Sequence, residues 1–410
     1  MNRATDVLVI GGGATGTGIA RDLALRGVDV TLCERGGLAA GTTGRSHGVL
    51  HSGARYADFD PDGARECIAE NRILKDIAGA CIDDTGGLFV QLDGDDPDYF
   101  DEKLAGCREQ GIDATVLSGA DARDTVPELS ERTERVIRVP DGVIYPSRLV
   151  AATAASAREH GARILPDTPV TDLLCEDGAV VGARIGGDGG EEKEEIYADH
   201  VVNAAGAWAG ELAAQAGIEV AMRPTSGVMV AVDHAGIEPV LNRCRPPSDG
   251  DIVVPHGSQA VLGTTSVEVD DPDDYDTDRE EIDRMVSECA AMVPALEEDE
   301  ISRAYWGVRP LYAPDEAERG ESRSISRGFF LLDHSRDGVD GFTSIVGGKL
   351  TTHRRMAEAV TDQIADELGV SGACRTDEER LPGHDDPEKL DALVVEFGAD
   401  SPADRDVTGA

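Results

Sequence analysis

Residues 6–10 read Asp-Val-Leu-Val-Ile, an apolar run short enough for a buried strand. The glycine turn Gly11-Gly12-Gly13-Ala14-Thr15-Gly16 follows, and over 17–26 the apolar positions Ile19, Leu23 and Ala24 recur at helical spacing. Gly27 interrupts this helix, and residues 28–34 return to strand character and end on Glu34, which completes one βαβ unit. Further along, Cys67, Ile68, Asn71, Leu74 and Ile77 mark one face of a helix over 64–80. A strand is predicted over 86–92, a helix over 99–110 and extended chain over 138–144. Ser147 is placed to cap a helix over 148–160 that stops at Gly161. Strands are predicted around 163–165, 169–175 and 180–185, then a charged glycine-rich turn over 186–195. Residues 200–206 read as a buried strand that breaks into small residues before Trp208, and 219–270 alternate in the manner of an antiparallel sheet. An amphipathic helix over 278–292 precedes strands over 305–311 and 329–333. A strand, a Gly347-Gly348 turn carrying Lys349, and a helix over 353–368 then repeat the opening design. Beyond Glu379 the polar, charged composition predicts a loosely ordered tail.

A chain of 410 residues suits two intertwined domains rather than one small core. No stretch has 18 consecutive apolar residues and the N-terminus runs straight into the first strand, so neither a membrane span nor a signal peptide is expected. The eight cysteines include no Cys-x-x-Cys pair, which argues against a metal or iron–sulfur site in this chain and fits a reducing cytoplasm. The net charge of −42 is spread over many short acidic runs, with five lysines against 33 arginines. Distributed acidity with little lysine suits a high-salt cytoplasm, where screening lengths fall to about 3 Å at molar salt. Nucleic acid is excluded as a partner by the same charge.

The opening unit has the spacing of a dinucleotide fingerprint. Gly11 permits the tight turn, Gly13 the approach of a diphosphate and Gly16 close packing of the helix, whose N-terminus favours the anion. Glu34 is placed to accept the hydroxyls of an adenosine ribose, and an acid there disfavours a 2′-phosphate. This stretch alone does not choose between FAD and NAD. No second fingerprint occurs mid-chain, and strand ends with small residues return at Gly206 and Gly347, as expected for one extended cofactor held from several segments. That favours FAD. The loop 35–56 is dense in glycine, hydroxyl and cationic groups; Thr42, Thr43, Arg45 and Ser46 suit phosphates, while His51 and Arg55 suit a substrate.

Five separated motifs, Gly11–Gly16, 41–57, 203–208, 307–311 and 347–352, together resemble the FAD-dependent glycerol-3-phosphate dehydrogenases. The wording His-Ser-Gly-Ala-Arg-Tyr-Ala at 51–57, Asn-Arg-Cys-Arg-Pro-Pro-Ser at 242–248 and residues 331–334 are similar to the large flavin-bearing subunits of the anaerobic enzymes. The resemblance implies an α/β fold in which a Rossmann-like FAD-binding domain (1–80, 140–215, 325–370) interleaves with a mainly antiparallel α+β substrate domain (81–139, 216–324), as in D-amino acid oxidase-like flavoproteins. Residues 371–410 form the polar tail. It implies oxidation of sn-glycerol 3-phosphate to dihydroxyacetone phosphate by hydride transfer from C2 to flavin N5. Electrons would pass to partner subunits and through them to a membrane quinone, with the chain cytoplasmic and peripheral to the membrane.

Arg55, Arg309, Arg327 and Lys349 are implied at the substrate, Arg309 and Lys349 beside the reacting centre; the hydroxyl proton then needs a base, for which His51 is the candidate, the alternative being a histidine that only hydrogen-bonds the flavin. The implied cofactor contacts add Ala14, Thr15, Arg35, His47, Val170, Ala205, Gly206, Gly307, Gly348, Lys349, Leu350 and Thr351 to those above. The cysteine-rich C-terminal region of those large subunits has no counterpart among the eight scattered cysteines. Two other readings stand beside this one: an amino acid or N-methyl amino acid oxidase, which needs a carboxylate clamp and an apolar pocket, and a flavin protein that only relays electrons.

Overall fold

The computed structural model describes residues 3–186, 194–314 and 328–408. The opening unit forms β1 (Arg3–Ile10), α1 (Ala14–Leu25) and β2 (Val30–Cys33), with α1 starting three residues earlier than the apolar spacing suggested. β1 lies parallel to β2 on one side and to Glu194–Asn203 on the other, and Arg163–Leu165 and Phe342–Gly347 extend the parallel set outward. The hairpin Val170–Glu176/Ala179–Ile185 and the strand Phe329–Asp333 add antiparallel members, for eight strands in all.

A second sheet of nine strands is antiparallel except where Val240–Arg243 runs parallel to Gly87–Leu92. Its strands come from residues 87–139 and 225–309, so the chain leaves the first sheet and returns to it more than once. The two glycine turns, at 11–13 and 347–348, both stand at the carboxyl ends of parallel strands in the first sheet, where an open α/β sheet offers its crevice.

Because α1 is sandwiched between that sheet and the helices Pro146–Glu159 and His353–Leu368, every residue of it except Thr15 is buried. Val7, Ile19, Leu23, Leu32, Val150, Val360 and Ile364 meet in the core beneath it, each side chain contributing about 1.5–3 kcal/mol of apolar burial. Arg21 is buried too. Its guanidinium donates to Ser156 Oγ at 3.1 Å and to the carbonyls of Thr376 (3.1 Å) and Glu379 (2.5 Å), and burial pulls its pKa down to about 10.

Three expectations need correction. Residues beyond Glu379 are not loosely ordered: Pro387–Glu396 is a helix capped by Asp386, with Leu390, Leu393 and Val394 buried and Arg148 paired to Asp391 at 2.7 and 3.0 Å. High charge density misled there, because in so acidic a chain it marks any exposed face and not disorder. Ser147 does not cap its helix, which begins at Pro146; its N–H (2.9 Å) and Oγ (2.6 Å) both donate to the carboxylate of Asp404, which supplies the cap from 257 residues away. The turn expected over 186–195 is shorter at its end, since Glu194 already begins a strand; residues 187–193 lie outside the described residues.

Asp404 also accepts from Ser401 Oγ at 2.7 Å, and burial raises its pKa despite these donors. Asp404→Ala removes the acceptor of three buried donors, of which one hydroxyl can turn to the other at 2.8 Å, and is expected to lower unfolding stability by about 2–4 kcal/mol, with Asp404→Asn costing less. Denaturant midpoints of both variants in high salt check this.

Candidate active site

A cavity of about 1060 Å³ opens between the two sheets. One wall is built where β1 ends. Gly11 has φ +115°, and a Cβ there would lie 2.4 Å from the Ala204 carbonyl oxygen. At Gly16 a Cβ would sit 1.9 Å from the Gly11 carbonyl oxygen, so this glycine lets α1 close onto the turn and does not itself reach the cavity. Gly13 occupies the N-cap position of α1 and offers no side chain to its first turn, so this twelve-residue helix starts at the cavity wall with its Ala14 amide capped only from a distant loop, by Thr43 Oγ1. Gly11, Gly13, Ala14 and Thr15 all line the cavity.

Glu34, just beyond β2, accepts from the Gly12 (2.6 Å) and Gly36 (3.0 Å) amides, which fixes its carboxylate at the wall. Next to it the Arg35 guanidinium lies 4.3 Å over the Trp208 ring and pairs with Asp273 at 2.9 Å twice, joining the loop after β2 to a segment of the second-sheet region. Asp273 is held below the usual carboxylate range by that pair.

The loop 40–47 runs along the cavity floor, tied to the strand Ile301–Arg309. Thr42 Oγ1 donates to the Val308 carbonyl at 2.6 Å, and Arg45 donates to the Ala40 and Trp306 carbonyls at 3.2 Å. Thr43 Oγ1 instead accepts the Ala14 amide (3.2 Å), and the Tyr305 hydroxyl holds the Ser46 carbonyl (3.1 Å). Gly307 is where this strand crosses Arg45 most closely, since a Cβ there would meet its carbonyl at 2.3 Å. Thr42, Thr43, Arg45, Ser46, His47 and Gly307 all face the cavity, as do Val170, Ala205, Gly206, Gly348 and Leu350. Thr351 does not; it is fully buried behind the wall, where its Oγ1 accepts the His51 amide at 3.0 Å.

His51, Arg55, Arg309 and Lys349 line this same cavity although they are up to 298 positions apart in sequence. The segment bearing the first two is pinned from behind, because buried Asp141 accepts the Ser52 amide at 2.6 Å. The His51 ring meets Tyr56 edge-on at 5.5 Å. Lys349, 5 % exposed, places Nζ 4.6 Å over the Tyr56 ring and 3.9 Å from Asp60 Oδ2. The Arg309 fork donates to Thr264 Oγ1 (3.1 Å) and to the Thr265 (2.9 Å) and Ser226 (3.4 Å) carbonyls, which aim it from the second sheet. Arg327 lies outside the described residues. Sequence reasoning gave no role to Tyr56, Phe59, Trp208, Met229, Tyr275 or Met356, which supply apolar wall. Tyr56 and Trp208 stood inside the quoted motifs and were legible there; Met229, Tyr275 and Met356 carried no local signal.

The family model for FAD dependent oxidoreductases matches residues 6–354. The chain belongs to that family. The A1 subunit of the anaerobic glycerol-3-phosphate dehydrogenase of Haloferax volcanii is 51% identical over 99% of this chain and 71% of its own length. Its counterpart in the anaerobic glycerol-3-phosphate dehydrogenase of Escherichia coli K12 is 45% identical over 95% of this chain and 72% of its own. Among solved structures, the glycerol-3-phosphate dehydrogenase from Bacillus halodurans complexed with FAD superposes with a TM-score of 0.70 at 26% identity, covering 93% of this chain and 68% of that one. Glycine oxidase from Geobacillus kaustophilus shares the fold, with a TM-score of 0.71 at 21% identity over 93% of this chain and 99% of that one.

This chain is an FAD-dependent flavoprotein, and the cavity suits the cofactor: a helix N-terminus whose N-cap is a glycine, a glycine turn with no room for Cβ atoms, and a fixed acid just beyond β2. Among the described residues no helix is long and apolar enough to cross a membrane, and no group of acidic, histidine and cysteine side chains is arranged to hold a metal.

His353, at the cavity edge, donates through Nδ1 to the Leu350 carbonyl at 2.8 Å, and burial lowers its pKa to about 4. The unfolded chain therefore takes up this proton near pH 6.5 while the folded chain resists until about pH 4, so the contribution opposes folding increasingly as pH falls through that window, by up to about 1.4 kcal/mol per unit. His353→Gln is expected to flatten the loss of stability between about pH 6.5 and 4, measured as the change in denaturant midpoint with pH in both proteins.

Proposed function

We propose that the protein oxidises sn-glycerol 3-phosphate to dihydroxyacetone phosphate at this cavity. The observation that carries the reading is the gathering of Arg55, Arg309, Lys349 and His51 around one cavity in a chain of net charge −42. A phosphate dianion entering such a protein needs local cations to overcome the surrounding field. Its curated relatives at 45% and 51% identity bear the glycerol-3-phosphate dehydrogenase name, which supports the same reading.

In this reading residues 1–80, 140–215 and 325–370 hold FAD, and 81–139 and 216–324 cover the substrate. FAD, when bound, supplies the two-electron acceptor for the hydride leaving C2. His51, as neutral imidazole, accepts the C2 hydroxyl proton, its main chain held by the Thr351 hydroxyl behind it and its ring lying against Tyr56. Arg309 meets the charge that develops on the C2 oxygen, and its fixed contacts to Thr264 and Thr265 mean that little reorganisation accompanies that step. Arg55 and Lys349 bind the phosphate. Gly11–Gly16, Glu34 and Arg35, the 42–47 loop, Val170, Ala205, Gly206, Gly307 and residues 348–351 contact or support the cofactor. Partner subunits receive the electrons and deliver them to a quinone, a role supported by the relatives being named as subunits of a larger enzyme.

His51→Gln is expected to lower the rate of flavin reduction by glycerol 3-phosphate by roughly 10²–10⁴-fold and to remove its acid limb. Stopped-flow absorbance across pH measures this; an unchanged rate removes His51 from the role.

A further inference from the structure

Arg55 reaches the cavity with a side chain that is only partly exposed, and its single side-chain hydrogen bond among the described residues goes to Asp251, from Nη2 at 3.4 Å. Asp251 is 1% exposed and belongs to the loop between Val240–Arg243 and Ile252–His256 of the second sheet. A buried carboxylate facing one arginine normally takes both prongs of its fork, which would leave that arginine poor at holding anything else. Here the carboxylate is shared. Arg245 Nε donates to Oδ1 at 2.9 Å and the Ser248 amide to Oδ2 at 2.5 Å, while Arg245 is itself anchored to Glu288 (2.9 Å) and to the Asp249 carbonyl (3.1 Å). The carboxylate's strong contacts thus lie within its own loop, and Arg55 keeps a single long tether. Its main chain is held as well, since Lys103 Nζ donates to the Arg55 carbonyl at 3.1 Å.

We propose that Asp251 is a positioning residue for substrate binding: it aims Arg55 at the phosphate, while Arg245 restrains it from claiming the Arg55 guanidinium for itself. This inference rests on the reading that Arg55 binds the phosphate of glycerol 3-phosphate. It assigns opposite actions on Arg55 to Asp251, which aims it, and to Arg245, which holds the acid back. Removing Asp251 leaves Arg55 unaimed; removing Arg245 frees the acid to close on Arg55 and compete with the phosphate. Both changes weaken substrate binding, and both act only through Arg55. Neither group touches the reacting carbon, so turnover at saturation should change far less than affinity.

A double-mutant cycle tests this on the FAD-loaded protein, with an artificial dye as acceptor. Asp251→Asn and Arg245→Gln should each raise the KM for glycerol 3-phosphate about tenfold, equivalent to about 1.4 kcal/mol, with kcat within about twofold of wild type. The inhibition constant of inorganic phosphate should rise in parallel. Both effects should vanish in an Arg55→Met background. Equal effects with and without Arg55, or an unchanged KM in both single variants, overturn the proposal while leaving Arg55 as a phosphate ligand. If Arg55→Met itself changes neither KM nor phosphate inhibition, the reading of Arg55 fails, and the proposal with it. Flavin absorbance and melting temperature check folding. Should Asp251→Asn not fold, Arg245→Gln, altering a side chain 25% exposed, carries the cycle alone.

Discussion

A net charge of −42 on 410 residues makes any anion site in this protein a local exception that has to be constructed. FAD brings a diphosphate, and under the proposed reading the substrate brings another phosphate. In that reading the structure would meet these charges by two means. Near the N-terminus the positive pole is main chain, the amide-bearing start of α1 reached through glycines. Further along the cavity it is side chain, with Arg55, Arg309 and Lys349 each tied to a different element. The cations are not left to find their own positions, and each is restrained by a carbonyl, hydroxyl or carboxylate in the surrounding wall.

That restraint explains why the chain moves back and forth between two sheets. Arg309 and the strand that bears it belong to the second sheet, yet the same strand is laced to the loop 40–47 through Thr42 and Arg45. Arg35 and Asp273 join the two parts again beside Trp208. The C-terminal segment serves the same wall from outside: the Ala403 amide donates to the Gly44 carbonyl at 3.1 Å, and the Leu38 amide to the Phe397 carbonyl at 3.3 Å, so residues expected to be loose press on the loop at the cavity floor.

The parts legible from sequence were those that depend on local pattern. The β1–α1–β2 unit, the Gly347-Gly348-Lys349 turn and the helix His353–Leu368 follow from period and punctuation, and five strands of the nine-stranded sheet showed as alternation over 219–270. Ser147 was misjudged because a serine before a helix satisfies the local rule for a cap, whereas its partner Asp404 is visible only in three dimensions. The tail was misjudged for a related reason: Leu390, Leu393 and Val394 have helical spacing, but the charge around them, ordinary for this surface, outweighed it. Within the site, Lys349 and Arg55 stood out by scarcity or motif, while Asp251 is singled out only by what it touches. The parallel pairing of Val240–Arg243 with Gly87–Leu92 had no sequence signal at all, since strand direction is a property of the connection and not of either strand.

A flavin cavity built for a phosphorylated alcohol is tested most directly by anaerobic titration of the FAD-loaded protein in high salt. Stoichiometric glycerol 3-phosphate should bleach the oxidised-flavin band near about 450 nm, with glycerol and small amino acids leaving it unchanged. A flavin that is bleached by glycine or an N-methyl amino acid and stays yellow with glycerol 3-phosphate would contradict the account.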